Sequence, residues 1–66
     1  MNSKEFKIEK NLEGLRLDKA LTLLDSLNSR VYYANLIKNS SILVNNQYVS
    51  PSYKVKEGDT ILVNYV

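Results

Sequence analysis

Two short amphipathic segments follow each other within residues 15–45, and they constrain the fold more than any other part of the chain. In the first segment, apolar residues recur at the i, i+3, i+4 and i+7 spacing of one helix face: Leu17, Ala20, Leu21 and Leu24. Asp18 lies in the predicted first turn, where a carboxylate can accept hydrogen bonds from free backbone N–H groups. We expect this helix to end around residues 25–27. Arg16 and Lys19 lie outside the apolar stripe and are expected to reach solvent.

The second segment predicts a helix that begins after Asn28 or Ser29, because both residue types are good N-caps. Its inner face has the i, i+3, i+4 spacing of Tyr33, Leu36 and Ile37. A neighbouring row at i, i+4, i+8 consists of Arg30, Ala34 and Lys38. Residues 39–41 end the helix. Because only a few residues separate the two helices, we expect a tight hairpin that buries both apolar stripes.

Strand-like segments surround the helix pair. They are rich in β-branched and aromatic residues, or alternate between apolar and charged ones, and comprise Phe6–Glu9, Ile42–Val44, Gln47–Val49, Tyr53–Val55 and Thr60–Tyr65. Asn45 and Asn46 tolerate the left-handed conformations of a tight hairpin turn, and residues 57–59 form another turn. We expect the first strand at a sheet edge. The sequence therefore predicts one α+β domain over residues 1–66, a helix hairpin packed on one side of a small, mostly antiparallel sheet.

Cysteine and histidine are both absent from the 66 residues. Without cysteine there is no disulfide framework and no thiolate metal site, so a reducing cytoplasm is the expected location. Without histidine the chain lacks the usual general base near neutral pH and the commonest metal ligand. We expect no catalysis by this chain, no cofactor, no metal and no small-molecule substrate. No apolar run approaches the roughly 20 residues that span a bilayer, and residues 1–10 do not resemble a signal peptide.

Charge is unevenly distributed along the chain. The net charge is only +2, but residues 26–56 contain no acid and carry +4 from Arg30, Lys38, Lys54 and Lys56. Such segregation favours an anionic partner that binds one side of the domain. Chance segregation in a short chain, which would leave these cations as ordinary solvated charges, is the alternative.

Five stretches in register resemble the RNA-binding domain named after small-subunit ribosomal protein four, here called the S-four-like domain. They are Gly14-x-Arg16-Leu17-Asp18-Lys19-Ala20-Leu21, Ser29-Arg30, Leu36-Ile37, Ile42-x-Val44-Asn45 and Tyr53-Lys54-Val55-Lys56-x-Gly58-Asp59-x-Ile61. The resemblance covers about residues 14–63. It implies an alpha-L type RNA-binding fold with structured, ribosomal RNA as the partner.

The strand before residue 10 and the stretch 50–55 look most like the domain that opens large-subunit ribosomal RNA pseudouridine synthases. In that family it is an accessory domain, and a larger downstream domain isomerises uridine. Carried over by position, the implied RNA-binding residues are Arg16, Lys19, Ser29, Arg30, Lys38, Asn45 and Lys54. The cations among these residues suit backbone phosphates. Recognition of RNA by its shape follows, because the narrow A-form major groove hides the base edges. Arg16-Leu17-Asp18 also resembles the catalytic motif of these synthases, but Leu15 stands where that motif has histidine, so we interpret Asp18 as a helix-start carboxylate.

The sequence departs from the family pattern at four positions: Val31 and Ala34 replace residues that are often polar or basic, and Ser40 and Asn46 replace glycines.

Five tyrosines raise the possibility of base stacking. We predict that Tyr33 belongs to the core and that Tyr53 and Tyr65 pack in strands, which leaves only Tyr32 and Tyr48 free to touch a base.

Two other functions are compatible with parts of the sequence. A free-standing S-four-like protein associated with ribosomes would share the same RNA-binding residues. A ubiquitin-like or sulfur-carrier module would share the Glu57-Gly58-Asp59-x-Ile61 stretch, but it would need a Gly-Gly tail and a different order of elements. Nothing in the sequence indicates an oligomer, so a monomer is expected.

Overall fold

A computed structural model describes residues 2–65, so both end residues of the predicted domain lie outside the described part. The elements in chain order are β1 (Asn2–Lys7), a short 3-10 turn (Lys10–Leu12), α1 (Leu17–Leu24), α2 (Arg30–Lys38), β2 (Ile42–Val44) and β3 (Thr60–Tyr65). The strands form one antiparallel sheet in the order β1-β3-β2. The predicted α+β class, a helix pair with a small antiparallel sheet, is confirmed.

The first helix forms where the apolar stripe predicts it. Leu17, Ala20 and Leu21 are fully buried, whereas Leu24 in the last turn is partly buried against the same core. Asp25 caps the C-terminus, and its N–H donates to the Leu21 carbonyl at 2.8 Å. The end of the helix therefore agrees with the predicted range.

The second helix has well-defined signals at both ends. Ser29 is its N-cap, and the Ser29 Oγ accepts from the Tyr32 N–H at 3.1 Å. At the other end Ser40 adopts a positive φ of 60°, its N–H bonds to the Ile37 carbonyl, and the Ser41 N–H bonds to the Leu36 carbonyl. This pair of bonds is the Schellman motif, in which glycine is the usual left-handed residue. The helix therefore ends where residues 39–41 predicted.

The central strand β3 joins the sheet to the helices. Ile61 and Val63 alternate with Thr60 and Leu62, so successive side chains of β3 point to opposite faces of the sheet. The buried face packs with both helices in one core cluster: Ile8, Leu12, Leu17, Ala20, Leu21, Tyr33, Leu36, Ile37, Ile42, Val44, Val55, Ile61 and Val63. The predicted core positions Tyr33, Leu36 and Ile37 are confirmed.

The first strand lies earlier than the sequence predicts. It spans Asn2–Lys7 rather than Phe6–Glu9, although it is an edge strand as expected. Residues 2–5 are exposed and show no alternation of apolar and polar residues. Backbone hydrogen bonds to β3, and not burial of side chains, hold these residues in the strand. Ile8 is buried but lies just beyond the strand, where its backbone exchanges hydrogen bonds with Gly58 and Asp59.

The predicted strand over residues 47–49 is wrong. Asn45 and Asn46 form the expected tight turn with φ of 51° and 66°, but only Gln47 bridges back to Val44. The chain then leaves the sheet, and β2 remains an edge strand beside β3.

The predicted strand over residues 53–55 is reduced to a single bridge between Lys54 and Arg16. The flanking hydrogen bonds run from the Leu17 N–H to the Tyr53 carbonyl at 2.7 Å and from the Val55 N–H to the Leu15 carbonyl at 2.9 Å. This segment therefore pairs with the chain that leads into α1, and it brings Lys54 next to Arg16.

Candidate nucleic-acid interface

A buried carboxylate joins the beginnings of the two helices. Asp18, in the first turn of α1, has a side chain only 4% exposed. Its Oδ2 lies 3.2 Å from Arg16 Nη2, and its Oδ1 lies 3.4 Å from Arg30 Nε. The two arginine side chains remain 46% and 48% exposed. One acid inside the fold therefore holds two cations that still face solvent.

The Asp18 carboxylate pairs with Arg16 and Arg30, which corrects the expectation that it accepts hydrogen bonds from backbone N–H groups. Both arginines are exposed, as expected, although each is held in an ion pair. Asp18 directly follows Leu17 and precedes Leu21 by three positions, so it lies on the buried side of α1. A buried carboxylate requires a charged or hydrogen-bonding partner, and the nearest long cations supply it. The ion pair between Asp18 and Arg30 depends on how the two helices pack, so no local sequence pattern predicts it.

Two lysines lie near Arg16. Lys54 is exposed and is joined to Arg16 by the backbone bridge that precedes α1. Lys19 is exposed and lies three positions after Arg16, about one helical turn along. We call the exposed side chains of Arg16, Lys19, Arg30 and Lys54 the basic face. The structure thus places four of the seven predicted residues around the start of α1.

The other three predicted residues are exposed but differ in their surroundings. Ser29 precedes Arg30, and its hydroxyl is engaged as the N-cap of α2. Lys38 is the last residue of α2, about 12 Å along the helix axis from Arg30. Asn45 lies in the turn after β2, and its amide donates to Asp59 at 2.9 Å and accepts from the Thr60 N–H at 3.0 Å. Lys38 therefore lies at the opposite end of α2 from Arg30, and the Asn45 side chain is engaged in the fold.

Asp59 fixes the segment that carries Lys54, a role that sequence reasoning missed. Its carboxylate accepts from the Tyr53 hydroxyl at 2.8 Å, from the Lys56 N–H at 2.9 Å and from the Asn45 amide. Burial alone would raise the pKa of Asp59, but these three donors hold it below its ordinary value. The hydrogen bond to Asp59 in turn raises the pKa of the Tyr53 hydroxyl. The local sequence signal for this role was an acid, Asp59, in a turn six residues after Tyr53.

The tyrosines divide as the sequence suggests, with the exception of Tyr32. Tyr33 is completely buried, while Tyr53 and Tyr65 pack against the core with their rings partly covered. Tyr32 is also partly buried, whereas Tyr48 is 66% exposed. All five tyrosines lie within the described residues, and Tyr48 is the one that remains mostly exposed.

The helix pair and the three-stranded antiparallel sheet together define a small α+β domain, and this domain presents the basic face at its surface. The family model of the S4 domain matches residues 15–61, and the chain belongs to this family. The S4 domain is an RNA-binding domain that is not itself catalytic. No curated protein matches the sequence. No helix among residues 2–65 combines the length and the apolar character needed to cross a membrane.

Proposed function

We propose that this chain binds structured RNA through backbone phosphates, with the basic face as the contact surface. The observation that carries the proposal is the pair of half-exposed arginines, Arg16 and Arg30, held together on Asp18 in an S4 domain. Guanidinium groups match phosphate geometry, and such contacts supply affinity without reading sequence. Recognition of RNA then depends on the shape of the folded strand.

The finer proposal is that the target is ribosomal RNA and that the chain is the N-terminal accessory domain of a ribosomal RNA pseudouridine synthase. Its support is the resemblance at residues 6–10 and 50–55 described above. The second candidate is a free-standing, ribosome-associated S4 protein with the same contact surface. The reading frame after residue 66 distinguishes them, because a catalytic domain there supports the first and a stop codon supports the second.

The third candidate, a ubiquitin-like or sulfur-carrier module, has no support beyond one short stretch of sequence. In the chain order of the described residues, the two helices come between β1 and the other strands. The family match is to an RNA-binding domain. We propose a cytoplasmic monomer, consistent with a chain that contains no cysteine.

Titration of a labelled RNA hairpin with the 66-residue chain at several salt concentrations tests the proposed function. Arg30→Ala is expected to weaken binding for all hairpin sequences alike and to reduce the salt slope by about one. A single-stranded RNA of the same composition is expected to bind more weakly than the hairpin.

Lys7→Ala is the matched control. Lys7 is exposed and pairs with Thr60, which points away from the buried face of β3, so it lies on the opposite side of the sheet from the helices. Equal losses in Lys7→Ala and Arg30→Ala would show that binding follows net charge and not the basic face. No loss in Arg30→Ala would show that the assigned face is wrong.

A further inference from the structure

We propose that Asp18 is a positioning residue that holds Arg16 and Arg30 as a two-arginine clamp on a single RNA backbone phosphate. The inference rests on the proposed RNA-binding function and assigns a role to a buried acid that does not itself touch RNA. It also identifies one phosphodiester group, rather than a diffuse stretch of backbone, as the ligand of these two side chains.

The geometry leaves the clamp open toward solvent. Each guanidinium approaches Asp18 with one nitrogen, Nη2 in Arg16 and Nε in Arg30. A guanidinium carries five N–H donors, so most of the donors on both side chains remain available. Both contacts are made to the two oxygens of one carboxylate, so the two guanidinium groups meet at the same small part of the surface. The proposal directs their free donors toward one phosphate. A phosphate with several acceptor oxygens can receive hydrogen bonds from both.

The contact with Arg30 is also incomplete as a hydrogen bond. Asp18 Oδ1 is buried and accepts no hydrogen bond within residues 2–65, although Arg30 Nε lies 3.4 Å away. Charge attraction therefore keeps Arg30 near the carboxylate. Because the approach to Asp18 is made by Nε, the two terminal nitrogens of Arg30 can bind a phosphate while the pair with Asp18 persists.

Charge alone and positioning predict opposite effects of removing the acid. If the basic face acts only through its charge, replacing Asp18 with a neutral residue exposes RNA to one more net positive charge and tightens binding. If Asp18 acts by positioning, its loss frees two long side chains that must then be ordered by RNA, which weakens binding. The sign of the change in affinity decides between the two.

Asp18→Asn in the 66-residue chain is the direct test, with the labelled RNA hairpin as probe and thermal unfolding measured in parallel. Asparagine keeps the shape of the side chain and removes its charge. The clamp predicts about fivefold weaker binding at fixed salt by a variant that is still folded. Binding that is unchanged or tighter would overturn the proposal.

A second background separates positioning from simple loss of folding. In a chain that already carries Arg16→Ala and Arg30→Ala, Asp18→Asn is expected to cause no further loss of affinity and to improve stability, because it removes an unpaired buried charge. An equal loss of affinity in both backgrounds would show that Asp18 acts only through the fold, and would overturn the clamp.

Arg30→Lys covers the case in which Asp18→Asn does not fold. Lysine keeps the charge and a partner for Asp18 but lacks the planar guanidinium group. The clamp therefore predicts weaker binding, whereas a charge-only contact predicts unchanged affinity. Unchanged affinity in this variant would contradict the clamp.

The double alanine variant, Arg16→Ala with Arg30→Ala, separates failure of the clamp from failure of the proposed function. If the double variant binds as wild type, the RNA-binding face is wrong; if it binds weakly while Asp18→Asn and Arg30→Lys bind as wild type, only the clamp is wrong.

Discussion

The Tyr65 hydroxyl donates to Oδ2 of Asp25 at 2.8 Å, across 40 positions of the sequence. Tyr65 is the last residue of β3, and Asp25 is the residue that ends α1. The Tyr33 hydroxyl donates to the Asp25 carbonyl at 3.4 Å, and the Asp25 carboxylate also accepts from the Leu27 N–H. The end of the sheet is thus tied to the turn between the helices through one acidic residue.

This contact predicts that stability falls in acid. The Tyr33 and Tyr65 hydroxyls beside Asp25 hold the pKa of its carboxyl below the ordinary value of 3.8, and hydrogen bonds also lower the pKa of Asp59. Because both acids bind protons less readily in the folded chain, their contribution is complete above the unfolded pKa. It is lost as the pH falls through the folded pKa. Urea unfolding followed from pH 7 to pH values below about 4 should show a decreasing free energy of unfolding.

Tyr65→Phe is the matched variant for this prediction. It removes the donor to Asp25 while keeping the ring that packs against the core. We expect lower stability at pH 7 and a shallower decline in acid, because the pKa of Asp25 then lies closer to its unfolded value. An acid dependence identical to that of wild type would show that Asp25 and Tyr65 are not coupled in solution.

Ser29 combines a structural role with a predicted RNA contact, and two substitutions separate them. Aspartate and asparagine both serve as N-caps, so Ser29→Asp and Ser29→Asn should preserve stability, whereas Ser29→Ala should cost about 1 kcal/mol. Only Ser29→Asp adds a negative charge next to Arg30. We expect it to weaken binding several-fold in the titration of the labelled RNA hairpin, while Ser29→Asn binds as wild type. If the two variants bind equally well, Ser29 does not face the RNA.

Ser40 is held in a conformation that suits glycine better. Its φ of 60° costs a residue with a Cβ about 1–2 kcal/mol. Because Ser40 is exposed, removing its side chain loses no core packing. Part of that gain is offset by the greater flexibility of glycine in the unfolded chain. Ser40→Gly is therefore expected to raise the free energy of unfolding by about 0.5–1 kcal/mol in urea melts. Ser41→Gly, which follows the left-handed position, is the control and should not stabilise the chain.

The parts of the fold that the sequence predicts well are those with a local periodic signal. The apolar stripe of α1 and the Ser29 cap of α2 are both visible within a few residues, and both are confirmed. The polar residues 2–5 of β1 have no such signal, because pairing with β3 places them. Residues 47–49 show the opposite error. Their β-branched and aromatic residues suggested a strand, but the pairing with β2 stops after the single bridge between Val44 and Gln47.

The candidate site follows the same division. That Arg16, Lys19 and Arg30 are exposed could be predicted from the helical pattern, and the structure agrees. That Arg16 and Arg30 meet at one buried carboxylate could not, because the meeting point depends on how α2 packs against α1. Lys54 likewise reaches Arg16 only through the backbone bridge made by a segment that sequence reasoning assigned to a strand.

The spacing along α2 predicts which cations act together on RNA. Arg30 and Lys38 lie about 12 Å apart along the helix, so they contact different phosphates and their alanine substitutions should add in free energy of binding. Arg16 and Arg30 share Asp18, so their substitutions should show a coupling energy of at least about 0.5 kcal/mol. Two double-mutant cycles measured with the same RNA hairpin at one salt concentration provide the comparison. Additive losses for Arg16 and Arg30 would show that they bind RNA independently, and coupling between Arg30 and Lys38 would place both on one phosphate despite their separation.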